Sequence, residues 1–314
     1  MLARDLDPWA ILLAGGDGQR LRPLTERIAG DGRPKQFCAI LGGDTLLERT
    51  RRRVTLAVRP DRQVVVVTRH HADYFGDLAL TVLPGRLVVQ PANRGTAAAI
   101  LYAVLTVRNL AGDVPVAVFP TDHEVSDDRA FMRHVQHAIE AARLFPEHVV
   151  VLGIQPSRAE PEYGWIQPAP KPLPVNGTAV HRIHRFWEKP GAGLSRRLFR
   201  RGCLWNSFVM VGSVPGFLAL LGSAIPRLTG RFTSLARALG GPRESLVSEA
   251  VYADAPALGF SEQVLARLPG RFLTLPVAGT GWGDLGSPAR VLDCLRRTGR
   301  LPDWLAETEL APGA

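Results

Sequence analysis

The sequence predicts an α/β fold built on a mainly parallel sheet that helices flank on both faces. Two observations lead to this fold class, and a third places a site in it. Short, continuous apolar runs recur in the first half of the chain, as is typical of strands buried on both faces. Longer segments with helical patterning separate these runs, which is the alternation found in parallel sheets. Glycine, glutamine or aspartate follows several runs. Since parallel sheets bind ligands beyond the carboxyl ends of their strands, we expect a site there.

The first half of the chain contains the clearest elements. Apolar runs predict strands at 11–14, 64–68, 87–90, 114–119 and 149–154. Thr45 and Glu48 form a capping-box pattern, which predicts the start of a helix that reaches about residue 58. Two more helices are predicted at 96–110 and 128–144.

The second half is less regular. Proline and glycine are dense over 156–177, which predicts loops with one short strand at about 163–166. The remaining predicted elements are strands at 180–187 and 204–211, and helices at 218–238 in pieces, 244–252 and 287–297. The tail at 300–314 carries no motif, and we expect it to pack loosely or to mediate contacts.

Composition limits the class of protein. A chain of 314 residues with 46% hydrophobic and 21% charged residues is ordinary for a soluble globular protein and can bury a large core. Its three cysteines form no C-x-x-C pair, so neither a disulfide framework nor a structural zinc site is indicated. The first apolar run is too short for a signal peptide, and glycine and proline interrupt the longest apolar tract at 208–225. We therefore expect a cytoplasmic protein without a membrane span.

A net charge of +9 raises the question of nucleic-acid binding. The arginines are spread along the chain, however, and Arg51, Arg52 and Arg53 are interpreted as the solvated face of an amphipathic helix. No known nucleic-acid motif occurs. Small anionic substrates would also account for part of the charge, so we predict no nucleic-acid partner.

The stretch after the first strand has the features of a phosphate site. Gly15, Gly16 and Gly18 permit close approach of the backbone to a ligand, and the cations Arg20 and Lys35 follow them. A glycine turn alone is a weak signal, because such turns are common in α/β proteins. Only three of the 38 basic residues are lysine, however, so a lysine that is present is expected to be needed for its compact charge.

Six motifs resemble those of one enzyme family. The first has two parts, LAGGDGQRLRPL at 13–24 and RPKQF at 33–37, and it is followed in family order by QPANRGTA, PTDH, FWEKP, WNS and GWGDLG. Together they resemble the sugar-1-phosphate nucleotidyltransferases, most closely the mannose-1-phosphate guanylyltransferases, over about residues 9–297. The dinucleotide fingerprint and the P-loop pattern are both missing, which argues against dehydrogenase and kinase alternatives.

The resemblance implies a Rossmann-like fold of the nucleotide-diphospho-sugar transferase type. It would be a single domain at 1–299, with a nucleotide-binding half at 9–155 and an inserted sugar-phosphate-binding half at 156–299. The implied reaction joins GTP and mannose-1-phosphate into GDP-mannose with release of pyrophosphate. A homo-oligomer is compatible with the sequence.

The resemblance also implies roles for individual residues. Asp122 and Asp284 would bind Mg²⁺, although the local sequence around Asp122 alone slightly favours a turn or helix-capping aspartate. The implied catalytic residues are Arg20, Lys35, Asp122 and Lys189. Those implied to contact the nucleotide are Leu13, Gly15, Gly16, Gly18, Gln90 and Thr96. Those implied to contact the sugar phosphate are Gly164, Glu188, Lys189 and Asn206.

Several positions depart from the family pattern. The segment at 28–32 is about four residues longer than usual, Gln90 replaces a glutamate, Gly95 replaces an asparagine and Phe208 replaces a glycine. These changes bear mainly on the preference for base and sugar. The alternatives are therefore a relative that uses glucose-1-phosphate or another nucleotide, and a non-catalytic regulatory homologue.

Overall fold

The structure is a computed structural model that describes residues 7–305, with the side chains of Ala79 and Leu80 excepted. Within this part of the chain, nine strands form one sheet in the order β3-β2-β1-β4-β9-β6-β10-β8-β7, and β5 and β11 form a separate two-stranded ribbon. The strands are β1 (Trp9–Leu13), β2 (Gln63–Thr68), β3 (Leu87–Gln90), β4 (Pro115–Pro120), β5 (His123–Glu124), β6 (Val149–Ile154), β7 (Trp165–Val175), β8 (Thr178–Trp187), β9 (Leu204–Ser213), β10 (Phe272–Val277) and β11 (Gly283–Asp284).

The sheet is mixed but mostly parallel. β1 pairs in parallel with both β2 and β4, so that Ile11 lies between Val64 and Val118. β9 runs antiparallel between β4 and β6, and β10 returns to the parallel direction beside β6. β8 and β7 complete the sheet as an antiparallel pair. One continuous sheet therefore contains strands from both halves of the chain.

Helices cover both faces of the sheet. They are α1 (Arg22–Ala29), α2 (Leu46–Val54), α3 (Ala72–Phe75), α4 (Leu78–Thr81), α5 (Gly95–Ala111), α6 (Asp128–Leu144), α7 (Ala192–Arg200), α8 (Val214–Ala224), α9 (Pro226–Ala238), α10 (Glu244–Ala253) and α11 (Pro288–Thr298). Alternate residues of the strands enter two separate apolar clusters. One contains Ile11 with α5, α8 and α9, and the other contains Leu12 with α6. This two-sided burial explains the continuous apolar strands.

The predicted α/β class is confirmed, and most predicted elements are present within a few residues of their expected bounds. The short strand predicted at 163–166 is wrong in extent, because β7 continues through the proline-rich stretch to Val175. Its pairing with β8 shifts in register near Pro168, and β7 ends the strand order of the sheet. An edge strand tolerates prolines because one side of it needs no hydrogen-bond donors.

The capping box that begins α2 is present, since the Thr45 hydroxyl accepts from the Glu48 backbone and the Glu48 carboxylate accepts from the Thr45 backbone. The interpretation of Arg53 as part of a solvated face is wrong. Arg53 is buried and forms ion pairs with Asp128 and Glu124, because α2 packs against α6 and β5 at this point.

The beginning of the tail packs against the body of the protein. The indole nitrogen of Trp304 donates to the Ile40 carbonyl at 2.9 Å, and Trp304 joins an apolar cluster beside α11. Arg300 donates to the buried carboxylate of Glu124 at 2.6 Å. Residues 306–314 lie outside the described part of the chain, so the expectation for them stays a prediction. Among residues 7–305, no helix is long and apolar enough to cross a membrane.

Candidate active site

The carboxyl ends of β1, β3 and β4 open into a cavity of about 640 Å³. Every site residue that the sequence analysis selected lines this one cavity. They are Leu13, Gly15, Gly16, Gly18, Arg20, Lys35, Gln90, Thr96, Asp122, Gly164, Glu188, Lys189, Asn206 and Asp284. The predicted convergence of the strand ends on one site is therefore confirmed, whereas the role of each residue stays a prediction.

Buried hydrogen bonds fix the glycine loop after β1. The Gln36 side-chain amide donates to the carbonyls of Ala14 and Gly16, each at 2.8 Å, and the Thr68 hydroxyl donates to the Gly15 carbonyl at 2.9 Å. A Cβ on Gly15 would lie 2.7 Å from the Gln90 amide nitrogen. A side chain at position 15 would displace the Gln90 amide. The hydrogen bonds from Gln36 and Thr68 therefore hold the glycine loop in place before any ligand binds.

Gln90 is buried at the end of β3. Its amide nitrogen lies 3.4 Å from the Val67 carbonyl, and its amide oxygen accepts from the Tyr252 hydroxyl at 3.2 Å. Both ends of the amide therefore have partners in the protein. The tyrosine fixes which way the amide faces, and this constrains any contact that Gln90 makes with a base.

Gly95, at the start of α5, explains one departure from the family pattern. Its φ is +79°, and a Cβ would lie 2.4 Å from the Leu258 carbonyl oxygen. The Arg94 guanidinium bonds to the carbonyls of Tyr252 and Ala253, which brings the segment after α10 against the beginning of α5. The close approach of this segment leaves no room for an asparagine side chain.

Lys35, Asp122 and Asp284 form the charged centre of the cavity. The Lys35 ammonium lies 2.8 Å from Asp122 Oδ2 and 3.8 Å from Asp284 Oδ1, and it donates to the Leu285 carbonyl at 3.1 Å. Lys35 is only 8% exposed, so these contacts form in a region of low dielectric. Burial raises the pKa of Asp122, but the Lys35 ammonium, His123 and the hydrogen bonds to the carboxylate together lower this pKa below its usual range.

The two aspartates lie 162 positions apart in the sequence, and the β5–β11 ribbon brings them together. Asp284 pairs with His123 in this ribbon, next to Asp122. One ligand atom from each of Asp122, His123 and Asp284 lies within 4.8 Å of the other two. Carboxylate oxygens are the ligands that Mg²⁺ prefers, so the two aspartates could hold such a cation. Burial lowers the pKa of His123 despite the two nearby carboxylates, which favours a neutral imidazole.

Arg290 is the most important site residue that the sequence reasoning missed. This buried side chain on α11 donates to Asp284 Oδ2 and to Glu162 Oε2, each at 2.8 Å. Its guanidinium also lies 4.5 Å from the centre of the Tyr163 ring. Arg290 thereby fixes one oxygen of Asp284 while the other faces Lys35. No local signal separates it from the chain's many arginines, because its partners are distant in sequence.

The opposite end of the cavity contains Glu188 and Lys189. Lys189 has a φ of +44°, an unusual conformation for a residue with a side chain, and its side chain is 57% exposed. Its ammonium lies 3.9 Å from Glu188 Oε1. Burial raises the pKa of Glu188; Lys189 opposes this rise and Glu262 adds to it. The positive φ of Lys189 is a form of backbone strain, and such strain is concentrated at functional sites.

Asn206 lies on β9 beside Gly164. Its backbone N–H donates to the Gly164 carbonyl at 2.8 Å, and its side-chain oxygen accepts from the Phe208 N–H at 2.9 Å. Phe208 has a φ of +58°, which explains why glycine occupies this position in the family pattern. A Cβ on Gly164 would lie 2.9 Å from the Phe186 ring, so this close packing requires glycine.

Arg20, like Lys189, is a largely exposed cation. Its side chain is 58% exposed, and its guanidinium lies 3.5 Å from the carboxylate of Glu162. Since Glu162 also accepts from Arg290, this carboxylate links the mouth of the cavity to Asp284.

The longer segment at 28–32 contains the end of α1, a helix that was not predicted, and Gly30 ends this helix with a φ of +75°.

Comparisons with known proteins agree with this architecture. The family model for nucleotidyl transferase matches residues 9–296. A xanthan biosynthesis protein of Xanthomonas campestris is 28% identical over 94% of this chain and 61% of its own length. Mannose-1-phosphate guanylyltransferase 2 of Escherichia coli O157:H7 is 26% identical over 88% of this chain and 58% of its own. The chain thus spans about three fifths of the length of these curated relatives.

Solved structures of other proteins also resemble this chain. A Thermus thermophilus protein described as a mannose-1-phosphate geranyltransferase superposes with a TM-score of 0.76 and 30% identity, over 90% of this chain and 77% of that one. A UDP-glucose pyrophosphorylase, at 14% identity and a TM-score of 0.56 over 93% of this chain and 98% of its own, shares the fold. Together with the family match over nearly the whole length, these similarities show that the chain belongs to the nucleotidyl transferase family.

Proposed function

We propose that this protein is a sugar-1-phosphate nucleotidyltransferase that forms GDP-mannose and pyrophosphate from GTP and mannose-1-phosphate. The observation that carries the proposal is the single cavity in which a fixed glycine loop, a buried lysine and two carboxylates face a second group of sugar-binding candidates. Both substrates are anions, so the reaction depends mainly on positioning and charge neutralisation.

In the proposed reaction, a phosphate oxygen of mannose-1-phosphate attacks the α-phosphorus of GTP. The new phosphorus–oxygen bond forms as the bond to the β-phosphate breaks, and pyrophosphate leaves. No protein nucleophile is needed. Gly15, Gly16 and Gly18 would receive the nucleotide beside Leu13, Gln90 and Thr96. Arg20 and Lys35 would balance the charge of the triphosphate.

The sugar phosphate would bind at the other end of the cavity. The exposed ammonium of Lys189 is available to its phosphate, and the Glu188 carboxylate can accept hydrogen bonds from sugar hydroxyls. The Asn206 side-chain oxygen is already used by the Phe208 N–H, so its NH₂ group remains the part that can donate to a hydroxyl. The Gly164 backbone, which lies beside Asn206, would close on the sugar.

Asp122 and Asp284 would hold Mg²⁺ in this proposal. The donor set fits. One oxygen of Asp122 pairs with Lys35 and one oxygen of Asp284 pairs with Arg290, each at 2.8 Å, so the second oxygen of each carboxylate can bind the ion. When bound, the ion would neutralise phosphate charge. Arg290 would keep Asp284 oriented, and Lys35 would move its contacts from the carboxylates towards phosphate oxygens.

A pyrophosphate-release panel tests the proposal. Four nucleoside triphosphates are each combined with mannose-, glucose- and galactose-1-phosphate, and kcat/KM is measured for every pair. GTP with mannose-1-phosphate is expected to exceed every other pair by more than about tenfold, because buried polar groups reject the wrong base. A best rate with dTTP or UTP and glucose-1-phosphate would overturn the substrate assignment but keep the reaction class. No release with any pair would favour a non-catalytic homologue.

A further inference from the structure

A second cluster of metal-ligand side chains lies outside the aspartate pair. Asp17 of the glycine loop faces His70 and His71, which follow β2. His70 Nε2 lies 2.9 Å from Asp17 Oδ1, and His71 Nε2 lies 3.5 Å from the same oxygen. One ligand atom from each of the three residues lies within 4.8 Å of the other two. This cluster plays no part in the reaction proposed above.

These separations suit a zinc-sized ion. Ligands about 2.0–2.1 Å from Zn²⁺ in tetrahedral geometry are about 3.3 Å from one another. The separations of 2.9 and 3.5 Å between Asp17 Oδ1 and the two histidine nitrogens lie on either side of that value. Two imidazoles and one carboxylate form a donor set that suits Zn²⁺ and neighbouring first-row ions better than Mg²⁺.

The buried histidine lacks good partners without an ion. His71 is 4% exposed, its Nε2 contact with Asp17 is long for a hydrogen bond, and its Nδ1 has no partner among the described residues. An ion bound to Nε2 would replace this long contact with a bond.

We propose that Asp17, His70 and His71 bind a divalent transition-metal ion of the zinc type, with a position left open for water. The ion would connect the glycine loop to the turn after β2. Asn93 donates to the other oxygen of Asp17 at 3.1 Å, so the loop after β3 joins the same cluster. The site would therefore clamp three loops at the nucleotide end of the cavity.

Metal binding to the full chain tests this site. Chelator-treated protein is titrated with Zn²⁺ against a chromogenic chelator, and with Co²⁺ by visible absorption, in excess Mg²⁺ to saturate the two aspartates. One ion per chain is expected. Asp17→Asn and His70→Ala should each weaken Zn²⁺ binding by about a hundredfold or more, since even outer-shell changes cost 10–100-fold. The His70 side chain is 51% exposed, so its removal should not unfold the protein.

Two control variants locate the ion. His137→Ala changes a histidine on α6 that lies close to another, His134, and should leave Zn²⁺ binding unchanged. Asp122→Asn should also leave it unchanged. Zn²⁺ should raise the melting temperature of the wild type but not that of His70→Ala. The proposal is overturned if no Zn²⁺ binds, if His70→Ala binds it as tightly as the wild type, or if binding is lost only in Asp122→Asn.

Discussion

The two ends of the cavity differ in how firmly the protein holds them. At the end proposed to bind the nucleotide, the buried Gln36 and Thr68 are hydrogen-bonded to the glycine loop, and the buried Gln90 is hydrogen-bonded to β2 and α10. At the sugar end, the cation is the 57% exposed Lys189, and strained φ angles occur at Lys189 and Phe208. The glycine loop of the nucleotide end is therefore held in place before a ligand binds, whereas Lys189 at the sugar end has no ion-pair partner closer than 3.9 Å in the described part of the chain.

This difference suggests a division of labour. A preorganised nucleotide end avoids the cost of reorganising charges during reaction. The sugar end would gain most of its contacts when the sugar phosphate binds. Substitutions at the charged centre should therefore lower turnover, and substitutions at the sugar end should mainly raise the KM for the sugar phosphate.

The largest effect is expected for Asp284→Asn. Losing the carboxylate charge removes half of the proposed metal site, so kcat should fall by about a hundredfold or more. The melting temperature should fall much less than the activity, because the amide is nearly the same size and Arg290 keeps its ion pairs with Glu160 and Glu162. Steady-state kinetics at saturating Mg²⁺ and a thermal melt measure both quantities. Near-normal activity would remove Asp284 from the proposed metal pair.

The next effect concerns Arg290, which we expect to act through Asp284 rather than on the substrates. Arg290→Lys keeps the charge but loses the planar guanidinium, whose two terminal nitrogens donate to Asp284 and Glu162. The Mg²⁺ concentration for half-maximal rate should rise about tenfold or more, and excess Mg²⁺ should restore most of kcat. Arg296→Lys is the matched control on α11, with a side chain that is 78% exposed. An equal response of both variants would contradict a positioning role.

Lys189→Arg tests the sugar end. The bulkier, planar cation should raise the KM for the sugar phosphate by about tenfold, equivalent to about 1.4 kcal/mol, and leave the KM for the nucleotide almost unchanged. Lys171→Arg provides the control, because Lys171 is exposed on β7 and does not line the cavity. Equal changes in the two KM values would contradict the division between the ends.

The smallest effect is a pH dependence at Glu188. Only the ionised carboxylate is acceptor-only, and its pKa is raised, so acceptance from sugar hydroxyls should weaken as the pH falls towards that pKa. The KM for the sugar phosphate should have risen about twofold when half of the carboxyls are protonated. In Glu188→Gln, this rise in KM should disappear, and only the pH dependence caused by titration of the substrate's phosphate should remain. Identical pH profiles of the two proteins would exclude Glu188 as the titrating group.

The sequence predicted the strands of the first half of the chain more fully than those of the second half. Continuous apolar runs such as Val64–Val67 are typical of buried strands, and site residues such as Gly15 and Asp122 come soon after other runs of this kind. The prolines over 168–174 concealed β7, because only its place at the sheet edge makes them tolerable. β10 was missed for a related reason: Pro276 interrupts its pattern, although the strand pairs with β6 over its whole length.

Other features of the site depend on contacts that no local pattern contains. Arg290 matters because folding brings it to Asp284 and Glu162, and Gly95 is required because Leu258 packs against it. The pairing of Asp122 with Asp284 came from family resemblance and not from their spacing. Burial of Arg53 likewise depends on contacts with other elements of the fold.

Transfer of a labelled phosphate tests the central claim most directly. The protein is incubated with mannose-1-phosphate, Mg²⁺ and GTP labelled at either the α- or the γ-phosphate, and the products are separated. The proposed reaction places the α-label in the nucleotide sugar and the γ-label in pyrophosphate. Release of the γ-label as inorganic phosphate, or its transfer to the sugar phosphate, would contradict nucleotidyl transfer at this site.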